Sequence, residues 1–282
     1  MKRIAIVFSI IASFFAATTS KSQAQNVLDG VYVREHVQFK QPVPLSYLRE
    51  ADVMWSKKVW RIIDLKEKMN LPFYYPTEKI NDRKSLNDIL YDAVKEGTLT
   101  PYTDEEFTNQ MTREEFQRIG GAGVDTTQIT DPEPPYLTRD TVIIREFSTT
   151  NVIAYRVKEE WFFDKQRSVI DVRIIGIAPL IYAVDDKGNR REGDLKIPIM
   201  WIYYPEARKI FANQEVFMRG NDSDRRSWDD IFLKRMFSSY IYKENNVYDR
   251  RVEDYKQGMD ALVEAERIKM EITNLEHDLW EY

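Results

Sequence analysis

The spacing of apolar residues along this chain changes period twice, and each change marks a predicted change of structure. From residue 46 the positions Leu48, Trp55, Val59 and Ile62 fall on one helical stripe, widened by Trp60 and Ile63, so the pattern predicts a helix that ends at Leu71-Pro72. A second helix is predicted over SLNDILYDAVKEG. Ser85 is its cap with Asp88 three residues on, the stripe is Leu86, Ile89, Leu90 and Ala93, and Gly97 is the stop. Thr103 with Glu106, and Thr112 with Glu115, read as two further capping boxes opening short helices that run out at Gly120-Gly121. Pro132, Pro134 and Pro135 then mark a breaker-rich linker.

Beyond the linker the period becomes two. Residues 141–147, 152–163 and 169–184 are rich in Val, Ile, Tyr, Phe and Trp and predict strands, the last two joined through DKQRS as a hairpin. A polar turn over 185–194 leads to a fourth predicted strand, 197–204. The helical period then returns. Ser227 with Asp230 makes a capping box before Ile231, Phe232, Met236, Phe237, Tyr240 and Ile241, and 252–279 predicts a long terminal helix. The expected fold class is therefore α+β, with N-terminal helices, a central antiparallel sheet of about four strands and C-terminal helices.

Ahead of these elements, Lys2 and Arg3 precede an apolar run of about 14 residues, Ile4 to Ala17, too short for the ~20 residues of a spanning helix, and a short polar stretch that ends Ser22-Gln23-Ala24. That layout predicts a signal peptide over 1–24, cleaved after Ala24. The organisation read from the chain is a signal peptide (1–24), an extended arm with Pro42 and Pro44 (25–45) and a helical part (46–123). A proline-rich linker (124–139) and a sheet with its C-terminal helices (140–282) follow, and 140–282 is able to join 46–123 in one domain.

Composition narrows the chemistry. The chain has no cysteine, which removes thiol catalysis, thiolate metal sites and bacterial lipid attachment. Without its first 24 residues it carries 38 basic and 46 acidic side chains, a net charge near −8, so nucleic acid is not an expected partner. The two histidines, His36 and His277, stand far apart with no spaced partner, and no metal or other cofactor is expected. Glu159-Glu160 and Asp229-Asp230 are the acid pairs on which a hydrolase reading would rest. The segment GGAG at 120–123 lacks the lysine of a phosphate loop.

Aromatic residues make up 13% of the chain, enough to leave some for interfaces as well as a core. The candidates for a protein interface are Trp55, Trp60, Trp201, Tyr203, Tyr204 and Trp228. In the predicted fourth strand Trp201 and Tyr203 share one face and Ile202 and Tyr204 the other, so both faces are apolar and one calls for a second layer or another subunit. One or two of the six are expected to be exposed. The terminal helix either folds back on its own domain or projects to a neighbour.

The blocks ADVMWSKKVWRIIDLKEKMN at 51–70, WFFDKQRSVIDVRIIGIAPL at 161–180 and SWDDIFLKRMFSSYIYKENNVYDR at 227–250, with PFYYP at 72–76 and WIYYPEAR at 201–208, carry a resemblance. They resemble the GldN/PorN family of gliding-motility and type IX secretion proteins of Bacteroidetes. The resemblance implies a non-enzymatic periplasmic subunit held at the inner face of the outer membrane. It implies a GldK/PorK-type outer-membrane lipoprotein as partner, further copies of the chain in a ring, and, as a further contact, the periplasmic part of the inner-membrane motor complex. The alternatives left open by the residues are a periplasmic hydrolase using an Asp/Glu pair and a periplasmic small-ligand binding module.

Overall fold

Residues 53–64 alternate inward and outward instead of following a helical stripe in the computed structural model, which describes residues 40–80, 83–112, 115–116, 123–130, 138–145, 149–183, 195–218, 220–221 and 223–279. His36 and the predicted signal peptide lie outside these residues, as does the whole of the predicted polar turn. In chain order the elements are β1 (Val53–Asp64), α1 (Leu71–Tyr74), α2 (Leu86–Glu96), β2 (Pro101–Tyr102), β3 (Gly123–Thr130), β4 (Thr138–Arg145), β5 (Ala154–Asp164) and β6 (Val169–Tyr182). They continue as β7 (Lys196–Pro198), β8 (Trp201–Tyr203), α3 (Tyr204–Phe211), β9 (Glu215–Val216), β10 (Arg226–Ser227), α4 (Trp228–Leu233), β11 (Tyr240–Glu244) and α5 (Met259–Asp278).

The fold is α+β, and its antiparallel sheet is larger than the four strands expected: seven strands run in the order β11-β1-β5-β6-β8-β2, with β7 also paired to β6. The largest departure from the pattern is β1, where a helix was expected. Trp55, Lys57 and Val59 turn inward while Met54, Ser56 and Lys58 face solvent. Lys57 masks this alternation in the sequence, and it is tolerated inside because Glu244 and Glu271 lie 2.7 and 3.6 Å from its Nζ. The β-branched and aromatic content of VMWSKKVWRIID favours the strand over the helix that its spacing also permits.

Four further expectations are corrected. The chain at Thr103–Glu106 forms no helix but a closed turn in which Asp104 accepts hydrogen bonds from Thr108 (3.1 Å) and Asn109, and Phe107 adopts φ +59°. The helix opened by Ser227 stops at Leu233, Arg235 takes φ +52°, and Tyr240–Glu244 joins the sheet as β11. Part of the predicted linker is a strand: β3 pairs with β4 from Gly123↔Arg145 to Thr130↔Thr138, leaving 131–137 between them. The predicted fourth strand divides into β7 and β8, and Tyr204-Pro205 begins α3 because proline fits the first turn of a helix.

Where local signals agree the prediction holds. The Ser85 side chain accepts from the Asp88 amide, Gly97 caps α2 at φ 79°, and Ser227 and Asp230 form a reciprocal capping box. The β5–β6 hairpin closes at Asp164↔Val169. The terminal helix starts at Met259, later than its spacing suggests, and folds back: Ala265, Ile268 and Ile272 pack on Val59 and Ile241, with Trp55 and Trp161 alongside.

All the helices lie against one face of the sheet. Ile63, Tyr155, Val157 and Ile177 meet Phe73 of α1, Leu86 and Leu90 of α2, Phe211 of α3 and Trp228 and Phe232 of α4. The opposite face carries Trp60, Ile62, Leu180, Trp201 and Tyr242. Its cover is the turn at 103–110, whose Phe107 ring lies so close to Gly176 that a β-carbon there would overlap it, together with three buried cations. Arg156 stacks over Tyr242 at 4.6 Å, and Lys243 and Lys158 lie over Trp60 at 4.6 and 5.6 Å. A bulge places both Tyr242 and Lys243 on this face, since Trp60 pairs with Lys243 and Arg61 with Ile241. Burial pushes the Lys158 ammonium down from its ordinary pKa, and its Nζ donates to the Glu105 carbonyl at 2.7 Å.

Candidate functional site

The helical layer determines which of the six aromatic candidates a partner can touch. Trp228 is enclosed by Phe73 and Phe232, with ring centroids at 5.0 and 6.4 Å. Tyr204 is buried between Phe211 and Phe232, its hydroxyl 3.3 Å from the Asp229 carboxylate. Trp60 and Trp201 are buried on the opposite face. These four are core residues in the folded chain. Trp55 is half-buried beside α5, and Tyr203, 36% exposed, is the most accessible, held against Phe107 at 5.4 Å. The second layer that the sequence called for over Trp201 is supplied from within the chain, by Phe107 and the cations.

Three of the four paired acids, Glu159, Asp229 and Asp230, are engaged in structural contacts. Glu159 is fully buried and accepts from Arg235 at 3.0 Å. Asp229 accepts from Arg208 Nε and Nη2 at 2.8 and 3.0 Å, and that hydrogen bond raises the pKa of the guanidinium while burial raises that of the Tyr204 phenol. Burial works against ionisation of Asp230, yet hydrogen bonds from Lys40 and from the Ser227 backbone and hydroxyl hold its carboxyl below the usual range. His277 is exposed on α5. Among the described residues no group of three or more His, Cys, Asp or Glu side chains is placed to hold a metal ion.

What remains accessible is apolar surface in three places. In the first, residues 40–49 run without helix or strand across the helical layer. Lys40 pairs with Asp230, Arg208 donates to the Val43 carbonyl at 2.6 Å and Arg173 donates to the Ser46 carbonyl. Leu45 of this arm, with Tyr203 and Leu233, borders a depression of about 540 Å³, and Tyr47 of the arm is exposed. In the second, on α5, Met259, Val263 and Met270 are exposed on the side turned away from the buried Ala265–Ile268–Ile272 stripe.

The third is a groove of about 560 Å³ that sequence reasoning missed. It is built around α1. Fully buried Asn70 fixes the start of that helix by donating to the Asp64 and Ser238 carbonyls at 2.8 and 2.9 Å. Phe73 points into the core, which turns Leu71 and Tyr75 outward. Leu71, Pro72, Tyr75, Pro76, Ile80 and Phe217 line the groove, with a cis peptide at Tyr75-Pro76. Lys68 and Arg83 stand at its rim, and Arg83 stacks over Phe217 at 5.4 Å. The available signal was PFYYP itself: apolar residues with neither period, bracketed by prolines, are poor core formers and good groove walls.

A family model described as GldN, gliding motility associated protein GldN, matches residues 48–281. No curated protein matches the chain.

Proposed function

The chain belongs to the GldN family, whose members are components of gliding motility and type IX secretion, and from that premise we propose that it is a non-enzymatic structural subunit of the machinery. In this reading it resides in the periplasm, at the inner face of the outer membrane. A GldK/PorK-type lipoprotein holds it there, and copies of the chain join in a ring that also meets the periplasmic part of the inner-membrane motor.

The observation that carries the reading is the distribution of exposed apolar side chains over three separate surfaces of one sheet-centred body: the arm with Tyr203, the outer side of α5, and the α1 groove. A subunit in a closed ring needs two different contact surfaces for its neighbours and a third for the partner that anchors it. The paired acids support the same reading, because Glu159, Asp229 and Asp230 are neutralised by Arg235, Arg208 and Lys40. Among the described residues no helix is long and apolar enough to cross a membrane, so attachment through a protein partner fits.

Affinity purification of the tagged chain from detergent-treated envelopes tests the proposal. The expected product is a large particle containing the chain, an outer-membrane lipoprotein and an N-terminus near Gln25 by mass spectrometry. Recovery of the chain alone as a monomer, or with Met1 retained, overturns it.

A further inference from the structure

The β3–β4 hairpin and the α1 groove are two features that the functional reading leaves unused, and their chemistries match. Among the described residues β3 and β4 pair only with each other, as a two-stranded sheet separate from the main one. Such a ribbon is marginal on its own in water and gains from a surface to rest on. With eight residues in each strand, its two ends are about 25 Å apart. Between its strands the chain reads DPEPPYL over 131–137, with three prolines, two carboxylates and a tyrosine. Proline fixes φ, and proline-rich sequences carry little conformational entropy into binding.

The groove has the features that proline-rich segments bind: aromatic and proline walls from Tyr75, Pro76 and Phe217, an aliphatic floor from Leu71 and Ile80, and cations at the rim. Among the described residues neither Lys68 nor Arg83 makes an ion pair. Asp131 and Glu133 are the complementary charges.

We propose that the 131–137 segment of one copy docks in the α1 groove of a neighbouring copy, its prolines against Tyr75 and Phe217 and its carboxylates against Lys68 and Arg83. The contact is heterologous: the segment of one copy meets the groove of the next, the kind of contact that propagates around a ring. The inference rests on the ring reading above and assigns it one of its two neighbour contacts.

Because the natural chain has no cysteine, single cysteines report the contact without background. Two differently tagged full-length chains, one Ile80→Cys and the other Pro135→Cys, are co-expressed, and the envelope complex is treated with a short thiol-reactive cross-linker. The expected result is a covalent pair of the two tags, at least tenfold above a control in which Val247→Cys, 97% exposed, replaces Ile80→Cys. Lys68→Glu with Arg83→Glu in the groove copy should remove that pair. Asp131→Lys with Glu133→Lys in the copy that supplies the segment should restore it, which also shows that the altered groove is folded. A yield equal to the control, no response to the charge changes, or cross-linking only within one chain when both cysteines are in the same copy overturns the proposal. If the lipoprotein still co-purifies in those cases, the functional reading stands without it; if the unmodified chain brings down no lipoprotein, that reading has failed.

Discussion

On one face of the sheet Tyr155, Val157 and Ile177 meet rings and aliphatic chains supplied by four helices; on the other, Trp60 and Tyr242 meet the charged ends of Lys158, Lys243 and Arg156, and Trp201 meets the ring of Phe107. Both faces are dry, and the chain needed to dry them differs. The helical side uses amphipathic segments drawn from much of the sequence. The cationic side uses one turn and three long side chains that rise from the sheet itself, their stems covering apolar surface and the two lysine heads bonded to Glu105 and Asp249. A ring stacked under a desolvated cation gains up to ~2 kcal/mol, against the cost of removing that cation from water. The helical face should therefore hold most of the stability.

Trp228→Ala, in the centre of the helical face, is the severest way to break this contrast. Loss of a fully buried ring enclosed by Phe73 and Phe232 should cost about 3–5 kcal/mol, read as a lower urea midpoint with an unchanged slope. A loss under ~1 kcal/mol would mean that the helices are loosely placed. On the other face Lys158→Met keeps the stem over Trp60 and removes a charge that burial already disfavours. It should change stability by less than about 1.5 kcal/mol in either direction, because exchanging a buried cation for an apolar isostere is often neutral. A loss above ~3 kcal/mol in the same titration would show that the cation is essential to that face.

The smallest effect sharpens the comparison at the ionic tie between the arm and α4, Lys40 with Asp230. The folded pKa of Asp230 lies below its ordinary 3.8, so its contribution is complete above 3.8 and is lost as pH falls through the folded value. Both partners keep some solvent contact, so Asp230→Asn should cost under about 1 kcal/mol at neutral pH. The difference from the unaltered chain should vanish in acid. A constant difference in thermal unfolding from neutral pH to acid would assign the effect to helix capping alone.

Legibility followed the range of the interactions. Ser85, Asp88 and Gly97 define α2 within thirteen residues, and the Ser227–Asp230 box is equally local, so both were readable. β1 was not, because Trp55, Val59 and Ile62 satisfy either period and the contacts that decide between them, Lys57 with Glu244 and Glu271, come from the far end of the chain. β11 was hidden similarly: Tyr240 and Ile241 extend the stripe of α4, and only the open edge of β1 draws them into a sheet. Alternation in β8 correctly put Trp201 and Tyr203 on one side, both touching Phe107, but could not say that a turn ninety-odd residues earlier would cover that side. The acid pairs were visible as residues and opaque as chemistry, since nothing local announces that Arg208 or Arg235 will neutralise them.

The place of β1 in the strand order also sets a timetable. It is the first strand of the main sheet to be synthesised, yet Trp55 waits for Phe163 and Val59 waits for Glu244 before both of its edges are closed. Sheets dominated by such distant pairings form slowly, because long loops must close before any contact stabilises them. For most of its synthesis this chain therefore lacks the partners that complete the sheet. The same delay leaves a version that stops short of residue 244 with an unpaired apolar edge, open to whichever strand meets it first.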